Sequence, residues 1–122
     1  MRFSVASRLR SFVFAWQGVR YLIISEHNSR VHLAASVSAV LTGLLLRISA
    51  DEWLWIALAI GLVWYAEAVN SAIERLADAV TTERDPMIKI AKDCAAAGVL
   101  IAATLALLIG LVIFIPHFGS LA

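Results

Sequence analysis

The sequence has little of the chemistry on which soluble nucleotide enzymes and disulfide-bonded domains depend. It contains one cysteine, Cys94, which excludes an internal disulfide and a cysteine-rich metal site and which we interpret as a small apolar helix residue. Its net charge of +1 gives no argument for a nucleic-acid partner. It contains no P-loop, glycine-rich phosphate loop or HExxH element. The usual signal-peptide pattern is not recognisable in residues 1–24.

Long apolar runs, by contrast, are plentiful. The chain is 61% hydrophobic with a mean hydropathy of +0.86, whereas soluble domains are about 45–50% apolar. We therefore predict one all-α integral-membrane domain over residues 1–122. Its three transmembrane helices are expected at about 31–48, at 53–69 with a polar-faced continuation to 80, and at 94–115, where Pro116 should end the helix.

Residues 3–24 carry arginines among aromatics and predict an amphipathic helix lying on the membrane surface. The alternative is that part of this stretch is disordered or packs on the bundle. Basic residues are concentrated before the first span and between the second and third, while the other connection has one and the tail after Ile115 has none. This asymmetry predicts that the N-terminus and the second connection face the cytoplasm.

One stripe of polar residues follows the second apolar run. Glu67, Asn70, Glu74 and Asp78 are three or four residues apart, so they share a helix face. A carboxylate at membrane depth is costly and requires a reason. Glu67 is therefore a candidate general base for a hydroxyl group; the alternative is a structural carboxylate paired with an arginine of a neighbouring helix. On a lipid-facing monomer surface Glu67 would be expensive, so we expect oligomerisation to hide it.

Other residues near the same membrane level suggest a phosphate and metal site. Glu26 and Glu74, completed by phosphate oxygens and water, suit Mg²⁺; otherwise both are ordinary helix charges. Lys92 could neutralise phosphate, and Asp93 could cap the third span. Asn70 could orient a carboxylate or bond another helix. His27 and His32 with Glu26 form only a weak zinc pattern, because a third strong ligand is missing.

These motifs resemble the small bacterial integral-membrane diacylglycerol kinase family, which includes the undecaprenol kinases. The resemblance runs from about Arg8 to Ile115. It is carried by Glu67-x-x-Asn70-Ser71-Ala72-Ile73-Glu74-x-x-x-Asp78, by Ala91-Lys92-Asp93-x-Ala95-Ala96, and by Trp16-x-Gly18-x-Arg20 ahead of Glu26.

The resemblance implies three transmembrane helices with an amphipathic N-terminal surface helix, a homotrimeric bundle with sites between subunits, and transfer of the γ-phosphate of magnesium-ATP to a lipid hydroxyl. It assigns Glu67 as the general base with Asn70 in support, and Glu26 and Glu74 as Mg²⁺ and ATP ligands. The remaining implied contacts are Glu83, Lys92, Asp93 and Phe14 for the nucleotide, and Trp16 and Asn28, with Glu67, for the lipid substrate.

Two regions depart from the diacylglycerol-specific pattern. Arg84-Asp85-Pro86 stands where those members often have Tyr-His, and Phe14 stands where they have a tyrosine near the adenine. The segments 26–32 and 51–54 are more similar to the undecaprenol kinases, so we expect undecaprenol as the acceptor, with diacylglycerol as the alternative. A non-enzymatic membrane subunit or ion carrier could use the same carboxylates, but the outer half of the third span has no charge to continue a path.

Overall fold

The computed structural model describes residues 2–121 as four helices. They are α1 (Val5–Ser25), α2 (His27–Leu46), α3 (Ala50–Val80) and α4 (Pro86–Leu121). The helices α2, α3 and α4 are each long and apolar enough to cross a membrane, which confirms three candidate spans. The most extensive packing is between α3 and α4, and α1 contacts α2 and α3.

The lengths of α3 and α4 exceed the thickness of a bilayer core. At about 1.5 Å per residue, the 31 residues of α3 and the 36 of α4 run for about 46 and 54 Å. The hydrocarbon core is only about 30 Å thick. Both helices must therefore extend beyond the hydrocarbon, and the charged segment from Glu74 to Lys92 occupies the end that they share with the loop between them. We call this the carboxylate end.

The start of α4 lies eight residues earlier than the sequence analysis predicted. Asp85 Oδ1 accepts hydrogen bonds from the backbone N–H groups of Met87, at 2.8 Å, and Ile88, at 3.3 Å. Pro86 then occupies the first helical position, where its missing N–H costs nothing. Asp93 therefore does not cap the helix, contrary to the interpretation of the sequence. It lies one turn beyond Lys89, whose Nζ is 2.6 Å from the Asp93 carboxylate.

The other end of α4 also differs from the prediction, because Pro116 does not end the helix. A proline removes one backbone donor, and a long apolar helix tolerates this loss where neighbouring packing supports it. Here His117 Nε2 lies 2.9 Å from Glu52 Oε2 and joins the last turns of α4 to the first turn of α3. The predicted first span was also displaced: α2 begins at His27 and ends at Leu46, because Arg47 adopts a left-handed conformation with φ 53°.

The buried apolar core is small and lies at the end of α3 opposite the carboxylates. Ile48, Ile56 and Ile113 form it, where the turn between α2 and α3 meets α4. Most large apolar side chains elsewhere are exposed, including Leu45, Leu100 and Val112. This distribution is expected when the solvent of the outer surface is lipid or another copy of the chain.

Candidate functional site

Polar pairs follow the antiparallel contact between α2 and α3. From the membrane interior toward the carboxylate end they are Trp64 with Ser36, Glu67 with His32, and Arg75 with Glu26. Along this series the residue numbers rise on α3 while those of the partner residues fall, as antiparallel packing requires. The candidate site is thus built on helices, and along α3 its polar groups are separated first by about one helical turn and then by about two.

Glu67 is buried within a single chain. Its side chain is 2% exposed, and its Oε2 lies 3.1 Å from Nε2 of His32. The partner is therefore a histidine of α2 and not an arginine, as the alternative interpretation had expected. Contrary to the expectation from the sequence, oligomerisation is not needed to hide Glu67, because His32 of α2 contacts the carboxylate and the side chain is already buried in the single chain.

His32 is itself held by its neighbours. Trp64 Nε1 donates to Ser36 Oγ at 3.0 Å, and Ser36 Oγ donates to the backbone carbonyl of His32 at 2.7 Å. The rings of His32 and Trp64 meet edge to face, with centroids 6.4 Å apart, which is a favourable aromatic geometry. The imidazole facing Glu67 is therefore restrained from the membrane-interior side.

One turn toward the carboxylate end lie three buried polar atoms that have no hydrogen-bond partner among residues 2–121. They are Ser29 Oγ, Asn70 Oδ1 and Ser71 Oγ. Buried polar groups left unpaired cost about 1–3 kcal/mol each, so such groups are usually explained by a ligand, water or partner. The free oxygen of Asn70, three residues beyond Glu67, is compatible with the supporting role that the resemblance implies.

Glu26 is the single residue between α1 and α2. Arg75 of α3 binds it, with a guanidinium nitrogen 2.7 Å from Glu26 Oε1. The Nε–H of the same arginine donates to the Tyr21 hydroxyl at 2.6 Å, and the guanidinium lies 5.8 Å from that ring. Arg75 thus fastens the end of α1 to α3 beside Glu74. No role was predicted for Arg75 or Tyr21 from the sequence, where their only signal was a position near the carboxylates.

Lys92 of α4 faces Glu74 and Asp78, the last two carboxylates of the stripe on α3. Its Nζ lies 2.7 Å from Asp78 Oδ1 and 3.5 Å from Glu74 Oε2. The structure therefore brings together Glu74, Asp78 and Lys92 from two helices, as the common membrane level predicted. Asp78 was recognised as part of the stripe but was not assigned a role; here it positions the lysine.

Other predicted contacts remain apart from this cluster within the chain. Phe14 and Trp16 are 64% and 70% exposed on α1, and Asn28 and Glu83 are also exposed. In the part of the chain that the structure describes, no side-chain hydrogen bond or ion pair joins any of the four to the carboxylates.

The donor set fits Mg²⁺ only when it is carried by a phosphate ligand. Within residues 2–121 no group of three or more His, Cys, Asp or Glu side chains could hold a metal alone. Glu26 and Glu74 supply carboxylate oxygens, and Arg75, the neighbour of Glu74, contacts Glu26 directly. Mg²⁺ prefers one or two carboxylates together with water and substrate phosphates over a complete protein cage.

Comparison with known proteins identifies the family. A family profile described as prokaryotic diacylglycerol kinase matches residues 13–114. The chain is 38% identical over 107 residues to the undecaprenol kinase of Bacillus subtilis (strain 168), covering 88% of this chain and 87% of that protein. It is 37% identical over 114 residues to a diacylglycerol kinase of Synechocystis sp. (strain ATCC 27184 / PCC 6803 / Kazusa), covering 93% of this chain and 65% of that longer protein.

The diacylglycerol kinase of Escherichia coli (strain K12) is a third relative, 31% identical over 106 residues, or 87% of each chain. These matches agree with the structure, in which α3 carries a buried carboxylate and the bundle has a charged end. The chain therefore belongs to the prokaryotic diacylglycerol kinase family.

Proposed function

We propose that this chain transfers the γ-phosphate of ATP to the hydroxyl of undecaprenol. Membership of the family makes the chain a membrane lipid kinase; the proposal concerns the acceptor and the residues. The observation that carries the mechanism is Glu67, a carboxylate buried in a membrane helix with an imidazole as its partner. The acceptor is supported by the 38% identity to a protein named undecaprenol kinase over most of both chains.

Glu67 acts as the general base in this proposal. The hydroxyl oxygen attacks the γ-phosphorus, the bond from that phosphorus to the bridging oxygen of ADP breaks, and the hydroxyl proton passes to the Glu67 carboxylate. Phosphoryl transfer needs mainly positioning and electrostatic stabilisation. Both are available where an apolar span meets a charged helix end. Asn70, with its free Oδ1, supports the reacting groups.

The carboxylate end binds the nucleotide. Glu26 and Glu74 would hold Mg²⁺, which when bound neutralises phosphate charge. Lys92 reaches phosphate from α4, where Asp78 already orients its ammonium group. We assign the remaining nucleotide contacts to Glu83, Asp93 and Phe14, and the lipid contacts beside Glu67 to Trp16 and Asn28.

A homotrimer with sites between subunits completes this arrangement. The exposed positions of Phe14, Trp16, Asn28 and Glu83 support it, because a second chain can bring these residues toward the carboxylates of the first. The large exposed apolar surface of α2 and α4 also supports helix–helix association. The measurement is the mass of the purified protein in detergent by light scattering; a monomer that is fully active would contradict a shared site.

We place the N-terminus and the carboxylate end in the cytoplasm, where ATP is available, with α1 on the membrane surface. The arginines of α1 and the basic residues around the α3–α4 loop support this orientation. In a Cys94→Ala background, Arg84→Cys should resist a membrane-impermeant thiol reagent in intact cells, and Asp51→Cys should react. The reverse labelling pattern would refute the orientation.

A competition between acceptors tests the function. Purified protein in mixed micelles receives radiolabelled ATP and equal mole fractions of undecaprenol and diacylglycerol, with Glu67→Gln as the inactive control. We expect undecaprenyl phosphate as the main product. Predominant phosphatidic acid would favour the diacylglycerol alternative, which the Synechocystis and Escherichia coli relatives support. No labelled lipid, combined with Glu67-dependent ion flux in vesicles, would favour a carrier.

A further inference from the structure

We infer that His32 is a positioning residue for Glu67 in phosphoryl transfer. The inference rests on the proposed role of Glu67 as the base. Its own foundation is geometric: His32 reaches across from α2, 35 positions away in the sequence, and contacts the carboxylate at 3.1 Å. The carboxylate is 2% exposed and the imidazole half-buried, so water competes weakly for this bond.

The contact divides the two oxygens of Glu67 between two tasks. Oε2 lies 3.1 Å from His32 Nε2, whereas none of the hydrogen bonds within the described range 2–121 involves Oε1. An ionised carboxylate only accepts, so Nε2 must carry the hydrogen when Glu67 is ready to act. His32 therefore holds one oxygen, and the other remains available to receive the hydroxyl proton of the substrate.

The environment of His32 shows why this bond fixes the carboxylate. The Trp64 indole meets the imidazole edge to face. Its Nε1–H donates to Ser36, whose hydroxyl donates in turn to the backbone carbonyl of His32, so α3 restrains both the ring and the backbone of the histidine. A glutamate has three rotatable side-chain bonds, and its terminal torsion is broad. Without the histidine, Oε1 would sample positions out of line with the hydroxyl, and a misplacement of about 1 Å costs roughly 10²-fold in rate.

His32 does not exchange protons in this scheme. The substrate hydroxyl proton moves to Glu67 Oε1, and Nε2 keeps its hydrogen from the start of the reaction to the end. A side chain with a neutral donor at the same place should therefore replace the histidine. The amide of glutamine reaches about as far from the backbone as Nε2 does, whereas asparagine carries the same amide on a chain shorter by one methylene.

The experiment compares His32→Gln, His32→Asn and His32→Ala, with Ser38→Ala as the control. Ser38 lies on α2 near His32, but its hydroxyl bonds only the backbone carbonyl of Ala34. Turnover of undecaprenol and the KM for magnesium-ATP are measured in mixed micelles, and gel filtration monitors folding. We expect kcat to fall about 10- to 100-fold in the alanine and asparagine variants and to stay within threefold of wild type in the glutamine variant. The KM for magnesium-ATP should change less than twofold throughout.

A merely structural role would give a different pattern. The glutamine and asparagine variants would then have the same kcat, or the KM for magnesium-ATP would change by more than twofold together with kcat. Either result would overturn the inference. If His32→Ala does not give a monodisperse protein, the pair of amide variants decides the question.

The outcomes separate this inference from the function on which it rests. If the wild-type protein phosphorylates no lipid alcohol, both the proposed function and the role of His32 are refuted. An active wild-type protein together with the same kcat in His32→Gln, His32→Asn and His32→Ala would overturn only the role of His32.

Discussion

Arg75 of α3 lies 2.7 Å from Glu26, the single residue that separates α1 from α2. The same guanidinium bonds the hydroxyl of Tyr21 at 2.6 Å. One side chain thus contacts both the C-terminal part of α1 and a proposed magnesium ligand. The carboxylate end of α3 and the helix α1 are joined at this point.

Replacing Arg75 by lysine should separate these two contacts. A lysine ammonium cannot bind Glu26 and Tyr21 with the fixed fork of a guanidinium. Because the Arg75 side chain is about half exposed and solvent screens such a pair, the effect should be modest, a several-fold rise in the KM for magnesium-ATP. Arg84→Lys, in the exposed loop, is the matched control. An equal KM for magnesium-ATP in Arg75→Lys and Arg84→Lys would contradict this prediction.

Replacing Glu67 by glutamine should abolish turnover while the oligomer stays intact. Glutamine preserves the size of the side chain but cannot take a proton, and general base catalysis contributes about 10²–10⁴-fold. Lipid phosphorylation and light scattering are the measurements. Turnover equal to wild type would remove Glu67 from the role of base.

Replacing Glu26 or Glu74 by glutamine should affect the metal-nucleotide more than the lipid. Each change removes one anionic oxygen donor for Mg²⁺, so a higher magnesium concentration should be needed for half-maximal activity. Asp51→Asn, at the opposite end of α3, is the control. Unchanged magnesium and ATP dependence in both glutamate variants would contradict the metal assignment.

Replacing Gly43 by alanine should destabilise the fold. An added Cβ would lie 2.7 Å from Trp53 Cη2 and 3.1 Å from Ile48 Cδ1, and overpacking of this kind costs about 1–3 kcal/mol. At Gly61, also in a membrane helix, a Cβ meets nothing within 4 Å in the chain. Thermal unfolding in detergent should show a lower Tm for Gly43→Ala only. A lowered Tm for Gly61→Ala would instead locate Gly61 at a contact between copies.

Much of the helix content follows from local pattern. The second span and its polar-faced continuation were predicted closely, because a long apolar run and a three-to-four-residue spacing are properties of one helix. The ends of α4 were not predicted, because its start depends on Asp85 as a cap and its passage through Pro116 accompanies a contact between His117 and the distant Glu52.

The sequence by itself determined a three-span membrane protein, the stripe of Glu67, Glu74 and Asp78, and the family. Apolar length, helical period and motif spacing are all read within short segments. Only the tertiary structure decided that His32 binds Glu67, that Arg75 binds Glu26 and that Lys92 binds Asp78. Such pairs join different helices, so they depend on the register in which those helices pack, and no local spacing encodes that register.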